Sequence, residues 1–492
     1  MKKLNRLSEI LILVVIGVMP VFAQGYGGQL TFQGLNQTIL HSATGRAMGG
    51  ITIGVQQDIA LMFQNPASLQ SLKGIQVSIG GQMSSRDLNQ QQNYAPVRYY
   101  SNLSLLLEGL TAYIPDPDTS LPGFTAMDTV QRPYDDISPN WSESNNPSLP
   151  LQAHLAVPVS LGNVKIVAGI GAVGYADLTH YYQNNNVLSP SILSQRPLPT
   201  LRPTDDNPVE VEWTQSVRSR EGSINGYGLA LAGTLEKLHL TVGFSGMLLK
   251  GSSDDYEQEI GRGNLTFFSN AFRNDSVYSR ITKTGVSDYD GQEFTLSSMI
   301  TGRYANIGVS LKLPTTITRT FNMRVVTDTT GTPTISSIEG EDKLKLPWRG
   351  AIGLSLAPKE NLVVGLEYEF RPYASVKYIV KDGTEVSPWL SASLFRLGIE
   401  YVVVPWLALR GGMRAEAEIF EPEGNQIIGD PVNYTVYSTG IGLSFSGLRF
   451  DVAYEYSMMK YEDTWASAIS KNSEKRHTFF GQLSYQLPWM LK

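Results

Sequence analysis

The chain has 492 residues with 39 basic and 45 acidic side chains, 46 glycines, 10% aromatics and no cysteine. The lack of thiols excludes disulfides, thiolate catalysis and cysteine-based metal sites, and an acidic balance offers no basic stripe to a nucleic acid. The length admits several domains or one large barrel, and nothing beyond the first two dozen residues reads as a spanning helix of ~20 apolar positions.

The N-terminus carries Lys2, Lys3 and Arg6, then an apolar run over residues 10–19, then Pro20 and Val21-Phe22-Ala23. This order predicts a signal peptide over residues 1–23, cut after Ala23. About ten apolar residues are too few to cross a hydrocarbon core of roughly 30 Å as an anchor. Removing the segment takes three of the 39 bases and one of the 45 acids (Glu9), leaving 36 against 44 and a net charge of −8. A cysteine-free chain also suits passage through an oxidising periplasm.

Residues 24–74 show no strand pattern and hold many Gly, Gln and Thr. From residue 75 the sequence breaks into segments of period 2. Ile75, Val77, Ile79 and Met83 alternate with Gln76, Ser78 and Gln82, and Leu448, Phe450, Val452 and Tyr454 alternate with Arg449, Asp451 and Ala453. Each segment is a strand with one apolar and one polar face. The pattern places strands at 75–84, 151–159, 163–182, 209–234, 238–252, 290–301, 305–326, 341–357, 361–382, 393–403, 406–418, 435–446, 448–459 and 476–487.

The connections alternate in length. Short ones hold Leu161-Gly162-Asn163, Glu236-Lys237, Gly302-Arg303-Tyr304, Lys359-Glu360, Val404-Pro405 and Gly447. Long ones cover 85–150, 183–208, 253–289, 327–340, 383–392, 419–434 and 460–475. A soluble sandwich has no reason to keep that parity, whereas outer-membrane barrels have tight periplasmic turns and longer outer loops. The predicted fold is therefore all-β: a transmembrane antiparallel β-barrel of about fourteen strands. A barrel of that size has a lumen wide enough for water and solutes, and residues 24–74 are placed to plug it. In the first long loop Leu103, Leu106, Leu107 and Leu110 follow helical spacing, which predicts an external helix whose apolar face packs on neighbouring loops or on a partner.

The plug segment reads Gly45-Arg46-Ala47-Met48-Gly49-Gly50, then Asp58-Ile59-Ala60, then Phe63-Gln64-Asn65-Pro66-Ala67-Ser68-Leu69. Together with Leu346-Pro347-Trp348, the stretch from Leu362 to Phe370, Arg396 to Tyr401 and Leu409 to Met413, it resembles the FadL/TodX family of outer-membrane transporters for hydrophobic compounds. The resemblance implies a signal peptide (1–23), an N-terminal hatch with an Asn-Pro-Ala motif (24–74) and a fourteen-stranded barrel (75–492). It further implies capture of substrate outside, an apolar pocket, and sideways exit through the wall. The chain departs from the family in its long first loop and in ending Leu487-Pro488-Trp489-Met490-Leu491-Lys492. A PorV-like subgroup of the same family consists of secretion shuttles that carry proteins, and its plug would look alike.

Gly45, Arg46, Gly49, Gly50, Asp58, Asn65, Pro66 and Ala67 are the candidate hatch and gating residues. Pro66 fixes its own φ and keeps Asn65 out of the helical region, so Asn65-Pro66-Ala67 is a structural turn holding the hatch or an element that moves with ligand. Gly49-Gly50 has no accompanying Lys or helix and is no phosphate loop. On the inward faces of three consecutive strands, Glu367, Glu369, Arg396, Glu400, Arg410, Arg414 and Glu416 predict a ladder of opposed charges. The competing reading gives Arg410 or Arg414 to a fatty carboxylate, which its fork geometry fits.

His41, His154, His180, His239 and His477 lack metal-ligand spacing, and no metal or cofactor is expected. His154 and His239 fall on polar, inward faces, and Gly481-Gln482-Leu483-Ser484-Tyr485 is no nucleophile elbow, so an enzyme is not expected. The expected function is passive, hatch-gated movement of long-chain fatty acids or hydrocarbons across the outer membrane. The expected partners are outer-membrane lipid, a hydrophobic small molecule and, during biogenesis, the barrel-assembly machinery. The second reading is a barrel whose partners are secretion-system proteins. An apolar, aromatic-lined cavity beside the hatch favours the first, and a lumen filled by charge pairs favours the second.

Overall fold

A strand with one apolar face cannot leave its edge unpaired in lipid, so the alternating segments close on themselves. A computed structural model describes residues 32–93 (except 36, 39, 56 and 57), 116–117, 141–161 (except 147), 164–189, 204–235, 238–268, 271–275, 279–329, 331–387, 389–419, 431–465 and 468–487. Fourteen antiparallel strands form the wall. They are β1 (Ile75–Asn93), β2 (Ser148–Leu161), β3 (Val164–Asp177, resuming as His180–Ser189), β4 (Val209–Leu235) and β5 (Leu240–Phe267). Next come β6 (Ser279–Thr301), β7 (Ala305–Lys312 and Thr315–Asp328), β8 (Thr334–Leu346 and Arg349–Lys359), β9 (Leu362–Phe370) and β10 (Leu394–Val404). The wall ends with β11 (Leu407–Glu418), β12 (Val432–Phe445), β13 (Leu448–Trp465) and β14 (Ala468–Leu487). The barrel shuts where β1 meets β14, from Ile75 opposite Leu487 to Asn93 opposite Ile469.

The apolar face points outward as the alternation requires. Ile79, Leu248, Ile352, Ile399 and Phe450 all present exposed side chains on the outer surface. The aromatic pairs Trp406–Phe445 and Trp348–Phe370 mark two levels of that surface, with ring centroids 5.9 Å and 5.4 Å apart. At the tight end, strands pair to within a few residues of the turn, as at Phe445–Leu448 and Val404–Leu407. Gly447 takes φ +85° there, a left-handed conformation that costs glycine little.

The opposite end corrects the sequence reading. Residues 327–340 and 460–475 are not long loops: β7 and β8 pair up to Thr327–Thr334, and β13 and β14 up to Trp465–Ala468. Residues 85–93, 253–267 and 279–289 are likewise strand. At this end the apolar alternation of the sequence stops while the backbone ladder continues. The expected strand 361–382 is also broken. It ends at Phe370, because Pro372 offers no N–H to a ladder. The chain then turns through Tyr373–Ser375 and lays Lys377–Ile379 against Lys343–Lys345 of β8. The external helix expected near Leu103, residues 1–23 and the C-terminal Pro488–Lys492 lie outside the described residues.

The wall has a seam between β2 and β3. β2 and β3 pair from Leu161–Val164 up to Ala153–Ala172, and among the described residues no β2–β3 backbone pair lies beyond. Upward of that point β2 pairs only with β1, and β3, after a bulge between Gly174 and Ala176, only with β4. Trp141, on a short strand (Trp141–Asn145) beside β1, reaches across to Tyr181 with ring centroids 5.5 Å apart.

Candidate functional site

Residues 40–72 lie inside the barrel and are almost all buried. They thread the lumen as one helical turn, α1 (Ala43–Ala47), and two 3-10 turns, Ile59–Leu61 and Pro66–Ser71. Ser42 caps α1 by accepting the Gly45 N–H at 2.8 Å, as a short polar residue ahead of a helix does. The segment is short of regular structure, and many of its polar groups bond to the wall.

Three charge clusters do this. In the first, Glu367 accepts the backbone N–H of Thr52 (2.7 Å) and Ile53 (2.9 Å) and the Thr52 hydroxyl, and Arg396 bridges Glu367 and Glu369. Glu369 continues to Arg371 at 3.0 Å, and Arg371 donates to the Thr38 hydroxyl. In the second, Arg46 donates to Glu455 (2.8 Å), Gln82 (2.6 Å) and the Leu40 carbonyl (2.7 Å), with its guanidinium 4.9 Å from the Phe480 ring centre. Arg414 joins this group by pairing with both Glu455 and Glu416. In the third, Arg410 pairs with Glu400 at 2.6 Å and Asp451 at 2.8 Å, and Arg449 links Asp451 to the Thr44 hydroxyl. The expected ladder thus divides into three groups, each tied to the plug. Arg410 and Arg414 each pair with two carboxylates of the wall.

The remaining candidate residues seat the plug. Asp58 accepts the Ala60 N–H (3.0 Å) and Gln482 (2.8 Å) and is hydrogen-bonded by Ser42. Asn65 donates to the Thr52 carbonyl at 3.1 Å, and its own carbonyl accepts the Ser68 N–H. The Ala67 N–H donates to Ser297 of β6 at 2.8 Å, while Pro66 and Ala67 lie against Gly243 of β5. Gly49, at φ +72°, sits against the backbone of β10 and β11, and Gly50 donates back to the Gly45 carbonyl at 2.8 Å.

Sequence reasoning missed the other half of this fit. Several inward wall positions facing the plug are glycine, and a Cβ at these would strike it. At Gly412 it would come 2.2 Å from the Gly49 nitrogen, at Gly398 2.2 Å from the Met48 carbonyl oxygen, at Gly440 2.5 Å from Ala47, and at Gly353 2.6 Å from Ile53. The high glycine count was the available signal, but which glycines face the plug follows only from register. Also missed was a charge belt nearer the long-loop end. There Asp255 accepts from Arg220 (2.6 Å), Ser287 (2.7 Å) and Arg319 (3.3 Å), and Arg319 reaches on to Asp342.

Between these layers lies an apolar compartment. Phe32 and Leu35, from the start of the plug, pack into a buried cluster with Tyr289, Tyr373, Tyr378 and Trp389. The Phe32 ring meets Tyr378 edge-on at 5.5 Å and Tyr289 at 6.3 Å. Tyr373, Tyr378 and Trp389 come from the β9–β10 connection and bury their side chains in this cluster. Gly34 abuts the Asp177 carbonyl, and His41 is hydrogen-bonded to the Gly174 carbonyl at 3.2 Å, so this same stretch of plug backs the β2–β3 seam. The mapped cavities beside the plug are polar; one of about 80 Å³ is lined by Thr38, His41, Lys312, Arg349 and Arg396 among others. Of the two features anticipated as discriminating between the functions, the charge-paired lumen is present, whereas the aromatics form a packed cluster and not an open apolar cavity. His239 is a further correction: it lies exposed in the β4–β5 turn and not on an inward face. Among the described residues no cluster of His, Asp and Glu is arranged to hold a metal.

A closed fourteen-stranded antiparallel barrel with an N-terminal segment in its lumen defines the class: a plugged β-barrel with the fold of the FadL/TodX structures. Solved structures bear this out at the level of fold. A TodX mutant described as a monoaromatic hydrocarbon channel matches with 14% identity over 90% of this chain and 98% of its own, at a TM-score of 0.55. A Pseudomonas aeruginosa FadL homologue matches with 12% identity over 91% and 98%, at 0.55, and the P. putida toluene transporter TodX with 12% over 91% and 99%, at 0.52. No family model and no curated protein matches the sequence.

Proposed function

We propose that this barrel sits in the outer membrane and passes hydrophobic small molecules inward by diffusion, without cofactor. The observation that carries the reading is the aromatic cluster at Phe32, Tyr289, Tyr378 and Trp389, adjoining the β2–β3 seam. A molecule entering at the long-loop end takes the seat of Phe32 and Leu35. Their withdrawal loosens the stretch 32–41 that backs the seam, and the molecule leaves sideways into lipid. A lateral route is the favourable one, because a greasy solute gains nothing from a charge-lined aqueous path. The glycine-seated part of the plug stays in place throughout, and gating belongs to its first ten or so described residues.

Deletion of the gene is expected to slow uptake of long-chain fatty acid or hydrocarbon, and its restoration to recover it. Stapling the seam as Trp141→Cys with Tyr181→Cys, in a chain with no other cysteine, is expected to block uptake until a reductant is added. Uptake indifferent to deletion removes transport, and uptake indifferent to a formed staple removes the lateral route alone. The charge-packed lumen supports a second reading, a PorV-like shuttle of the secretion machinery. Under that reading deletion leaves uptake unchanged and a surface protein goes missing.

A further inference from the structure

The wall carries a like-charge contact that the transport reading does not use. Lys345 of β8 and Lys377 of the β9–β10 connection are direct cross-strand partners, both with exposed side chains on the outer surface. Like charges directly opposite on one face of a sheet repel and are ordinarily avoided. The surrounding acids do not resolve the pair. Glu385 takes Lys377 at 2.7 Å and Glu341 takes Lys343 at 2.8 Å, while among the described residues Lys345 has no ion pair. On its other side Lys345 faces Thr316 of β7, followed by Thr318 opposite Lys343, which offers hydroxyls and no carboxylate. One cationic charge is therefore left over on this patch.

Height on the barrel says what the charge meets. Immediately below lie Trp348 and Phe370, exposed and in ring contact, at the level of the outward Phe294 of β6 and Leu311 of β7. Aromatic residues of this kind mark the boundary between hydrocarbon and headgroups. Lys345 and Lys377 sit one step above it, at the long-loop end. We infer that Lys345 and Lys377, with Thr316 and the Trp348–Phe370 pair, form a binding site for the phosphorylated headgroup of an outer-leaflet lipid. The phosphate lies between the two ammonium groups, the threonine hydroxyl donates to it, and the acyl chains run down over the two rings. The site rests on the barrel fold and not on what the lumen carries.

The full-length barrel is reconstituted in phosphatidylcholine nanodiscs and titrated with bisphosphorylated lipid A, its dephosphorylated form, and inorganic phosphate. Saturable binding of the phosphorylated lipid alone is expected. Lys345→Gln with Lys377→Gln should weaken it by about 25-fold, since each cation near a charged membrane surface contributes about fivefold. Lys345→Arg with Lys377→Arg should keep it, as should Lys250→Gln, whose lysine lies on β5, three strands away from Lys345. Heat-modified mobility on gels reports whether each variant is a folded barrel. Unchanged affinity in the folded glutamine variant overturns the site. So does equal binding of the dephosphorylated lipid, or saturable binding of inorganic phosphate at the same concentration as lipid.

Discussion

Replacing Glu367 with alanine separates the seating of the plug from the stability of the wall. The carboxylate holds two backbone N–H groups of the plug, the Thr52 hydroxyl and one arm of Arg396, all buried. Truncation leaves two amides without an acceptor, at about 1–3 kcal/mol each, and removes one of the two partners of a buried guanidinium. Breaking a buried pair typically costs 3–5 kcal/mol, and the effects overlap because they share one atom group. A loss of about 4 kcal/mol in plug seating is expected. The β9–β10 ladder keeps all its backbone bonds, so the barrel itself should melt where the native protein does. Hydrogen exchange reads the difference. A local opening eased by about 4 kcal/mol raises exchange at Thr52 and Ile53 by about a thousandfold, while β-strand amides are unmoved. Glu367→Gln keeps an acceptor and should lose only about tenfold. Exchange at those two amides within tenfold of native in the alanine variant would refute the idea that wall carboxylates hold the plug.

Gly412→Ala forces a Cβ to 2.2 Å from the Gly49 nitrogen, so about 1–3 kcal/mol of overpacking should expose the plug to protease while the barrel stays heat-modifiable. Phe32→Ala empties the aromatic compartment without touching the wall, and a neutral aromatic probe should bind more tightly, as measured by calorimetry; weaker binding would mean that Phe32 is part of the ligand seat and not its occupant. Burial, with repulsion from His154, Lys312 and Arg46, pushes the His41 imidazole down to about 3, below its free value of 6.5. Folded His41 therefore stays neutral while the released plug takes up a proton. Its contribution is intact above pH 6.5 and is lost at up to about 1.4 kcal/mol per unit as pH falls toward 3. Exchange of the plug, corrected for intrinsic rates, should quicken between pH 7 and pH 5 and do so less in His41→Asn.

Much of the wall was legible because lipid imposes one rule on every strand: apolar outward, at period 2. That rule located all fourteen strands at their tight ends, where Leu448 or Leu240 begins an apolar face right after a turn. It failed at the opposite end, where Thr334–Glu339 is paired strand without an apolar face, and at Pro372, where a missing N–H outweighed a continuing pattern. The inward charges Glu367, Arg396, Arg410 and Arg414 were legible as a polar face. Two of their partners were not, because Asp451 and Glu455 lie 41 residues from the arginines they meet.

Alternation, turn chemistry and the uncommitted first segment were enough, read by themselves, to define a large antiparallel barrel and the residues that line it. Which glycine receives which plug residue, which carboxylate holds which amide, and where the wall goes unpaired depended on strand register and on the path of the plug. Those are long-range relations, settled by simultaneous closure of fourteen strands around one segment, and local side-chain pattern carries no record of them.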